Sequence, residues 1–304
     1  PLKFISSLKK VISIIKKENL ELIRCRNPYL GSLIGCLAGK ILKIPTVVSL
    51  GGNNRLSQEL NQKYLYNSKF FSYNIERLVL NLCDIIITPN NYTKKYVGGI
   101  IGRKKINKCT NLPWINYLPN LPPHQKKEKK ETILIVGFLN KYKFTDVLYN
   151  VIEKLMLSKD FNNVSVIFCG DGPLMEQGKK RLKNVKFYGW CNRKKILDLI
   201  NNSTVILIPM SGNVIIEAAY MGKPVISSNL EWHSEVIKHM KSGLLVDPKN
   251  ESEWINSIKL IMKNKKLSKK FGTTLQKIYF KSFDYKVVIK KELTLYHKTI
   301  EKYG

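Results

Sequence analysis

Two stretches of this chain alternate short apolar segments with amphipathic helical patterns, and a segment rich in proline and lysine separates them. Strands that alternate with helices along a chain form a parallel sheet covered by helices on both faces. The separating segment, residues 113–131, holds four prolines and the charged run 126–130, which is typical of an interdomain linker. The sequence therefore predicts two doubly wound α/β domains, over residues 1–125 and from residue 126 to about residue 283.

The spacing of apolar residues predicts the elements of each domain. In the first domain we expect helices over 2–18, 30–42, 74–83 and 91–98 and strands over 22–25, 45–50 and 84–88. In the second domain we expect strands over 133–136, 164–169, 185–188, 205–209, 224–227 and 244–246. Ligands of such domains bind beyond the carboxyl ends of the strands or in the cleft between two domains.

The first helix, over 2–18, carries lysines between its apolar residues. A basic amphipathic helix of this kind lies on membranes in some proteins and packs against a sheet in others. The pattern is the same in both cases, and we favour packing against a sheet.

The chain is strongly basic, because its 304 residues include 52 Lys and Arg but only 22 Asp and Glu, for a net charge of +30. The hydrophobic fraction of 44% is enough for two cores and excludes a disordered or collagen-like chain. The charge is compatible with nucleic acid, an anionic membrane surface or phosphate-bearing substrates. Only seven basic residues are Arg, whose bidentate fork makes the commonest specific contact to DNA bases. We therefore expect no nucleic-acid partner, and a basic nucleic-acid-binding module is a remote alternative.

The charge is also unevenly distributed. Abundant Lys, Asn and Ile together are typical of AT-rich codons, which explains part of the Lys excess. Residues 1–130 nevertheless carry a net charge of +17, against +13 for the longer remainder. Codon bias alone does not predict this difference, which favours an anionic membrane surface as a partner of the first domain.

The Cys and His residues show no metal-binding pattern. The six Cys residues form no C-x-x-C pair, and the four His residues do not cluster with Cys or paired acids, so we expect no metal and a reduced, cytoplasmic chain. The signatures of triad hydrolases, zinc proteases and P-loop NTPases do not occur. No run reaches the roughly 18 to 20 apolar residues that span a bilayer. Because a helical pattern follows Pro1 directly, we expect the natural start of the protein to lie upstream.

The segment Gly170-Asp171-Gly172-Pro173 follows the strand predicted over 164–169. Its glycines allow a tight turn and a close approach to a ligand, and Pro173 suits the first position of a helix. A dinucleotide fingerprint needs a third glycine where this chain has Met175, which disfavours a nicotinamide or flavin site. The alternative is an ordinary turn from strand to helix, and the segment taken alone favours it.

A second candidate site lies at Ser211-Gly212-Asn213, between the strand over 205–209 and a helix over 214–221. Free N–H groups at a helix start bind phosphate, although Ser and Asn are also ordinary helix caps. Within this apolar helix Glu217 is the one acidic residue. A buried carboxylate needs either a buried partner or a ligand that donates hydrogen bonds, and we favour the ligand.

Lys143 follows the first strand of the second domain, six residues after Gly137. Its polar neighbours are compatible with a solvated surface lysine. Its position is more informative, because the carboxyl end of this strand lies at the same edge of the sheet as the loops at 170 and 211. A diphosphate bound at that edge would lie within reach of Lys143.

These features together resemble the family 4 retaining glycosyltransferases, whose GT-B fold has two facing Rossmann-like domains. The motifs of the second half are V-G (136–137), Lys143, G-D-G-P (170–173), F-Y-G (187–189), E-A-A-Y-M-G-K-P-V-I (217–226), S-E-V-I (234–237) and S-G-L-L-V (242–246). Those of the first half are I-P-T-V-V-S-L (44–50), E-R-L-V-L-N-L-C-D-I-I-I-T-P-N (76–90) and L-P-N (118–120). The order and spacing of the whole set carry the resemblance.

The resemblance implies transfer of a sugar from a nucleotide diphosphate sugar, with retention at the anomeric carbon and without a metal. It places Glu217 on the ribose hydroxyls and Lys143 on the leaving diphosphate, whose departing phosphate takes the acceptor's proton. The donor-binding residues that it implies are Gly137, Gly170, Asp171, Gly172, Trp190, Cys191, Ser211, Gly212, Asn213 and Val214. It further implies that residues 284–304 form a crossover helix packing on the first domain, and that the first domain is incomplete.

The chain also departs from the family pattern. A second glutamate common in the family is Pro209 here, and the arginine usual after the first strand's glycine is Phe138. The His-bearing strand end of the first domain is replaced by a segment containing Gly52, Asn53 and Asn54, so an Asn is expected to contact the donor sugar. We expect a retaining glycosyltransferase at the cytoplasmic membrane face, acting on a lipid-linked or envelope glycan. The departures leave a weak or inactive nucleotide-sugar-binding protein as the alternative.

Overall fold

A computed structural model describes residues 2–61, 64, 67–114, 118, 130–210 and 212–303 of the chain. The chain divides into two compact units, one made of Pro1–Ile115 with Tyr285–Gly304 and the other of Asn116–Asp284. Each unit has one parallel sheet with helices on its faces. The predicted fold class, α/β with two parallel sheets, is confirmed. Most of the predicted linker lies outside the described residues.

The first unit has a sheet of four parallel strands in the order β1-β2-β3-β4. The strands are β1 (Ile23–Arg26), β2 (Thr46–Ser49), β3 (Ile85–Thr88) and β4 (Cys109–Asn111). The helices are α1 (Leu2–Lys17), α2 (Leu30–Leu42), α3 (Asn54–Asn61), α4 (Lys69–Leu82) and α5 (Asn91–Ile101), joined by the chain's last helix, α13 (Tyr285–Glu301). The strand β4 is not predicted from the sequence, because it is three residues long and shows no apolar alternation.

Helix α2 lies close against the first sheet because its glycines leave room for the strands. A Cβ atom on Gly39 would lie 2.3 Å from the Cγ2 atom of Thr46 in β2. Helix α1 packs against α2, whereas the sequence analysis favoured packing of this helix against a sheet. Helix α13 is tied to the sheet by an ion pair of 2.9 Å between Arg24 and Glu292, and its Tyr296 packs against the buried cluster of Val47, Ile87 and Leu112.

The second unit has a six-stranded parallel sheet in the order β10-β9-β8-β5-β6-β7. The strands are β5 (Thr132–Val136), β6 (Ser165–Cys169), β7 (Lys186–Phe187), β8 (Val205–Ile208), β9 (Val225–Ser228) and β10 (Leu244–Val246). The helices are α6 (Thr145–Met156), α7 (Met175–Arg181), α8 (Arg193–Asn202), α9 (Val214–Tyr220), α10 (His233–Val236), α11 (Glu251–Lys263) and α12 (Lys265–Ser282).

The strand order of the second unit reverses between β5 and β8, as it does in Rossmann folds. Buried apolar residues cover both faces of the sheet, including Tyr149 and Trp254 on one face and Leu197 and Ile216 on the other. This double burial explains why the central strands are nearly uniformly apolar. The carboxyl ends of β5 and β8 therefore open onto the point where ligands of this fold bind.

Candidate functional site

The candidate site lies in the second unit, at the carboxyl edge of its sheet. Six loops leave the sheet at this edge, one after each of the strands β5 to β10. Because all strands are parallel, these loops meet at one edge. The donor-binding residues expected from the sequence belong to the first four of these loops, and Ser211 alone among them lies outside the described residues.

The side chain of Lys143 lies over the end of β5. Its Cδ atom is 4.0 Å from the position that a Cβ atom on Gly137 would take, and Gly137 has a φ of +151°. The backbone N–H of Lys143 donates to Oδ1 of Asn140 at 2.9 Å, which fixes the turn that carries the lysine. Burial lowers the pKa of Lys143, and the negative charge of Glu231 opposes this shift. Lys143 is therefore not a fully solvated surface lysine.

Two residues that follow β9, Glu231 in the loop and His233 at the start of α10, interact electrostatically with Lys143 and are missed by the sequence analysis. The positive charge of Lys143 contributes to a lowered pKa of His233, about 4, whose main cause is burial. The His233 ring is fully buried, and its Nδ1 atom lies 2.9 Å from the carbonyl oxygen of Ser228. Within the described ranges, no group of three His, Cys, Asp or Glu residues could hold a metal ion.

The loop at Gly170–Gly172 packs directly against the loop that follows β5. A Cβ atom on Gly170 would lie 1.9 Å from the carbonyl oxygen of Gly137, and one on Gly172 would lie 2.3 Å from that of Leu139. The Leu139 N–H donates to the carbonyl of Asp171 at 2.8 Å. Both glycines are thus required for contact between two backbones. The helix after this loop begins at Met175, so the expectation that Pro173 opens it is wrong by two residues.

Glu217 lies in α9 and is 7% exposed. Its Oε1 atom is 3.4 Å from Nη2 of Arg193, whose side chain is about half exposed at the start of α8. Burial raises the pKa of Glu217, and Arg193 opposes the increase. Of the two possibilities raised by the sequence, a partner side chain or a ligand, the structure supplies a partner and leaves the ligand untested.

The scarcity of Arg in this Lys-rich chain could have indicated Arg193 as a functional residue, but the sequence analysis did not use it. At least three other Arg residues also pair with a carboxylate, namely Arg24, Arg55 and Arg181. A guanidinium holds a carboxylate in a fixed geometry, which an ammonium does not. A rare Arg in such a chain is therefore a candidate ion-pair partner. Glu231 offers no comparable signal.

The start of α9 leaves its backbone accessible. Gly212 has no atom within 4 Å of the position of an added Cβ. Asn213 is exposed and makes no side-chain cap, although its carbonyl accepts from the N–H groups of Ile216 and Glu217. Val214 packs on the core beneath. The expected residues of this segment that the structure describes thus lie at the sheet edge.

The loop after β7 exposes a large aromatic side chain. Trp190 is 78% exposed. The neighbouring Cys191 is half-buried, and its free thiol is in hydrogen-bond contact with the free thiol of Cys169. Burial and this contact raise the pKa of the Cys169 thiol to about 12. The structure therefore brings Cys191 into the sheet edge and leaves Trp190 open to solvent.

The residues expected on the acceptor and sugar side belong to the first unit, after β2. Gly52 has a φ of +153° and open space at its Cβ position. Oδ1 of Asn53 accepts from the Leu56 N–H at 3.1 Å and so caps α3. Asn54 is buried, and its Nδ2 atom has no hydrogen-bond partner among the described residues. Asn53 thus has a structural role as the cap of α3.

Comparison with known proteins gives one family and a consistent set of relatives. The sequence profile of the family "Glycosyl transferases group 1" matches residues 119–277. An uncharacterised 41.2 kDa protein from the cps region of Klebsiella pneumoniae is 28% identical over 78% of this chain and 68% of its own length. The capsular polysaccharide biosynthesis glycosyltransferase CapH of Staphylococcus aureus is 26% identical over 84% and 73%. The crystal structure of Anabaena Alr3699/HepE in complex with UDP covers 96% of this chain and 82% of its own, at 18% identity and a TM-score of 0.76.

Proposed function

Because the chain belongs to the glycosyl transferases of group 1, we propose that it moves a sugar from a nucleoside diphosphate sugar to a cell-envelope glycan with retention at the anomeric carbon. One observation carries the proposal. Lys143, partly desolvated, lies over Gly137 at the strand-order reversal of a Rossmann-type sheet. An ammonium held there is suited to binding a diphosphate. In the proposed reaction the nucleoside diphosphate is the leaving group.

The role of Lys143 in this proposal is electrostatic. When the bond between the sugar and the diphosphate breaks, negative charge grows on the leaving oxygen. A positive charge already in place stabilises this growth without reorganisation, and partial burial strengthens the effect. The backbone N–H groups at the accessible start of α9 add donors to the phosphates. The departing phosphate takes the acceptor's proton, so no protein base and no metal enters the proposed step.

Glu217 has a different role, which is to bind the ribose. A carboxylate accepts two hydrogen bonds, and the paired hydroxyls of a ribose supply two donors. Arg193 holds the carboxylate at 3.4 Å from one side. Trp190, exposed three residues before Arg193 in sequence, then offers a face on which a base can stack. UDP is the first nucleotide to test, because the Anabaena protein of similar fold binds it.

The acceptor is proposed from the relatives and from charge. CapH acts in capsular polysaccharide biosynthesis, which favours an envelope or lipid-linked glycan. The net charge of +17 over residues 1–130 favours peripheral binding to an anionic membrane on its cytoplasmic side. Within α1, Ile5 and Ile14 are about half exposed among lysines. In the described part of the chain, no helix is both long and apolar enough to cross a membrane.

The experiment is a thermal-shift screen of UDP, GDP and ADP and their sugars, with Lys143→Ala and Lys141→Ala as matched variants. Lys141 lies in the same turn, two residues before Lys143, and is exposed. A ligand that binds the folded state raises the melting temperature. We expect Lys143→Ala to bind the nucleoside diphosphate about 10- to 100-fold more weakly, and Lys141→Ala to bind it normally. Equal affinity of the two variants would remove Lys143 from the site.

The alternative of a binding protein without transferase activity rests on Phe138 and Pro209. Phe138 is 53% exposed directly after β5, where an arginine would add a second charge to the diphosphate. Donor binding without transfer or hydrolysis would support this alternative. Turnover with a product of retained configuration, read by NMR of the anomeric proton, would exclude it.

A further inference from the structure

We propose that the first unit binds an anionic lipid bilayer through one surface, the layer of helices on one face of its sheet, and that exposed apolar side chains of α4 insert between the lipids. The inference rests on the membrane partner in the proposed function and assigns the surface that meets it. The arrangement of the helices, their charge and their exposed apolar side chains each support it.

Helices α2, α4 and α5 lie on one face of the first sheet. They connect neighbouring strands in the order β1-β2-β3-β4, and right-handed crossovers that all run in one direction place their helices on the same face. The three helices share an apolar cluster that includes Leu33, Val79 and Val97, and Phe4 of α1 packs against it. Helix α1 also packs against α2, whereas α13 packs in a separate cluster. Helices α1, α2, α4 and α5 therefore form one layer.

The outer surface of this layer is strongly positive. Its four helices contain ten Lys and Arg residues, five of them in α1, and one acidic residue, Glu76. Glu76 is 3% exposed and accepts a hydrogen bond of 2.7 Å from Nε of Arg55, so it adds no negative charge to the surface. Lys17, Lys40 and Lys69 pair with acids outside these helices. Among the described residues, no carboxylate pairs with the other seven basic side chains.

Large apolar side chains are exposed on the same layer. Phe70, Phe71 and Leu78, which we name the α4 stripe, are 73%, 53% and 45% exposed. Positions 70, 74 and 78 follow one another along one face of a helix, and position 71 lies two turns before position 78. Ile41, on the neighbouring helix α2, is 60% exposed. Transfer of such side chains from water to an apolar phase is favourable.

The combination of cations and apolar side chains favours a bilayer over other partners. A nucleic acid neutralises lysines with its phosphates, but it offers no apolar phase for Leu78 or Ile41. A second copy of this chain would bring a surface of the same positive charge, which repels. A bilayer with anionic headgroups attracts the lysines and accepts apolar side chains at the boundary of its acyl chains. It therefore satisfies both features of the layer.

Binding through this layer also orients the first sheet. The helices cover one whole face of the sheet, so the sheet lies parallel to the bilayer. Its carboxyl edge, which Gly52 and Asn53 follow after β2, then faces along the membrane surface. An acceptor held in the bilayer by its lipid can reach this edge from the membrane side.

The first test is sedimentation of the protein with vesicles of phosphatidylcholine, with or without phosphatidylglycerol. Phe70→Ser removes the most exposed member of the α4 stripe. Leu157→Ser is the matched control, because Leu157 is 86% exposed but belongs to the second unit. We expect the unaltered protein to bind the vesicles that contain phosphatidylglycerol, Phe70→Ser to bind them about 10-fold more weakly, and Leu157→Ser to bind them normally. Melting curves verify that both variants are folded.

The second test reverses charge on two basic helices. Lys9→Glu with Lys10→Glu changes an adjacent exposed pair on α1, and Lys269→Glu with Lys270→Glu makes the same change on α12 of the second unit. We expect the α1 variant to bind phosphatidylglycerol vesicles more than about 10-fold more weakly and the α12 variant to bind them within about 2-fold of the unaltered protein. Equal weakening by both pairs would mean that net charge, and not this layer, attracts the vesicles, and would overturn the proposal.

The third test detects insertion directly. Brominated lipids quench tryptophan fluorescence at the depth of the acyl chains, so Phe70→Trp is expected to gain quenching over the unaltered protein and Leu157→Trp to gain none. No gain in Phe70→Trp, together with normal vesicle binding by Phe70→Ser, would overturn insertion by α4. Tighter binding to RNA than to vesicles, lost in the α1 variant, would assign the layer to nucleic acid instead.

The two levels of the proposal fail in different ways. If the unaltered protein binds no vesicles, the membrane partner in the proposed function fails and this inference with it, whereas donor binding and sugar transfer are unaffected. If the protein binds vesicles and the changes at Phe70, Lys9 and Lys10 have no more effect than their controls, this inference fails alone.

Discussion

Nη2 of Arg193 lies 3.4 Å from Oε1 of Glu217, and this contact joins the start of α8 to the middle of the apolar helix α9. The pair is asymmetric, since the side chain of Glu217 is 9% exposed and that of Arg193 is 48% exposed. Burial raises the pKa of Glu217 despite the nearby positive charge. The ionised carboxylate is therefore less stable in the folded protein than in water, and Arg193 compensates only in part.

Glu217→Gln is expected to keep or raise the melting temperature at pH 7 while it weakens donor binding. A raised folded-state pKa means that ionisation at neutral pH opposes folding, and the neutral amide removes that cost. The same change removes an acceptor for the ribose hydroxyls. The measurement pairs a melting curve with a titration of the nucleoside diphosphate. A loss of both stability and binding would mean that Glu217 mainly holds the fold.

Glu153→Gln is the matched control for this prediction. Glu153 pairs with Arg181 at 2.6 Å, and hydrogen bonds from Arg181 hold its pKa below the usual value. A lowered pKa means that ionisation at neutral pH favours folding. The same substitution is therefore expected to lower the melting temperature slightly here and to leave donor binding unchanged.

Gly170→Ala is expected to destabilise the second unit by more than about 3 kcal/mol. Its Cβ atom would lie 1.9 Å from the Gly137 carbonyl oxygen, at a φ of +148°, so the two loops would have to separate. Gly212→Ala provides the contrast, because nothing lies within 4 Å of its added Cβ. Its effect is expected within about 0.5 kcal/mol. Urea unfolding of both variants checks the pair, and similar losses would contradict the assigned packing.

The stability of the second unit is expected to fall between pH 6.5 and about 4 through His233. The pKa of His233 is lowered from 6.5 to about 4 by burial and by Lys143, so in this range the unfolded chain binds a proton that the folded chain does not. Stability therefore rises with pH across this window. Since one pKa unit corresponds to about 1.4 kcal/mol, the contribution is on the order of 3 kcal/mol.

His233→Asn isolates this contribution from other titrating groups. The Asn amide can replace the donor to the Ser228 carbonyl but does not titrate. The variant is expected to be less stable than the unaltered protein at pH 7 and to approach its stability as the pH falls to 4. Urea unfolding at several pH values measures the difference, and a constant difference would mean that His233 does not titrate in this range.

The strands of the second sheet are predictable because most of them are buried on both faces, which leaves uninterrupted apolar runs in the sequence. Both Ile206 in β8 and Ile226 in β9 are fully buried. The edge strand β4 is not predictable, since its Thr110 and Asn111 are only half-buried. The pairing that orders these residues comes from β3, and a contact between segments distant in sequence leaves no local pattern.

The residues of the candidate site likewise include some that the sequence predicts and some that it does not. The positions of Lys143 and Glu217 relative to strand ends and a helix can be read from the sequence. The partners Glu231 and Arg193 cannot, because each interaction joins segments distant in sequence whose approach depends on the strand order. Glycine spacing gives the turn at Gly170 but does not show that a neighbouring carbonyl requires it.

Asn53 offers a way to separate a structural role from a functional one in the first unit. Its Oδ1 caps α3 by accepting from the Leu56 N–H, and loss of such a cap costs about 1 kcal/mol. Asn53→Ala is therefore expected to lower the free energy of unfolding by about this amount, whereas Asn53→Asp keeps an oxygen acceptor and the cap. If Asn53 also contacts the donor sugar through its amide N–H₂ group, Asn53→Asp restores stability but not turnover. Full turnover in Asn53→Asp, measured with the donor found in the screen, would limit Asn53 to its role as a cap.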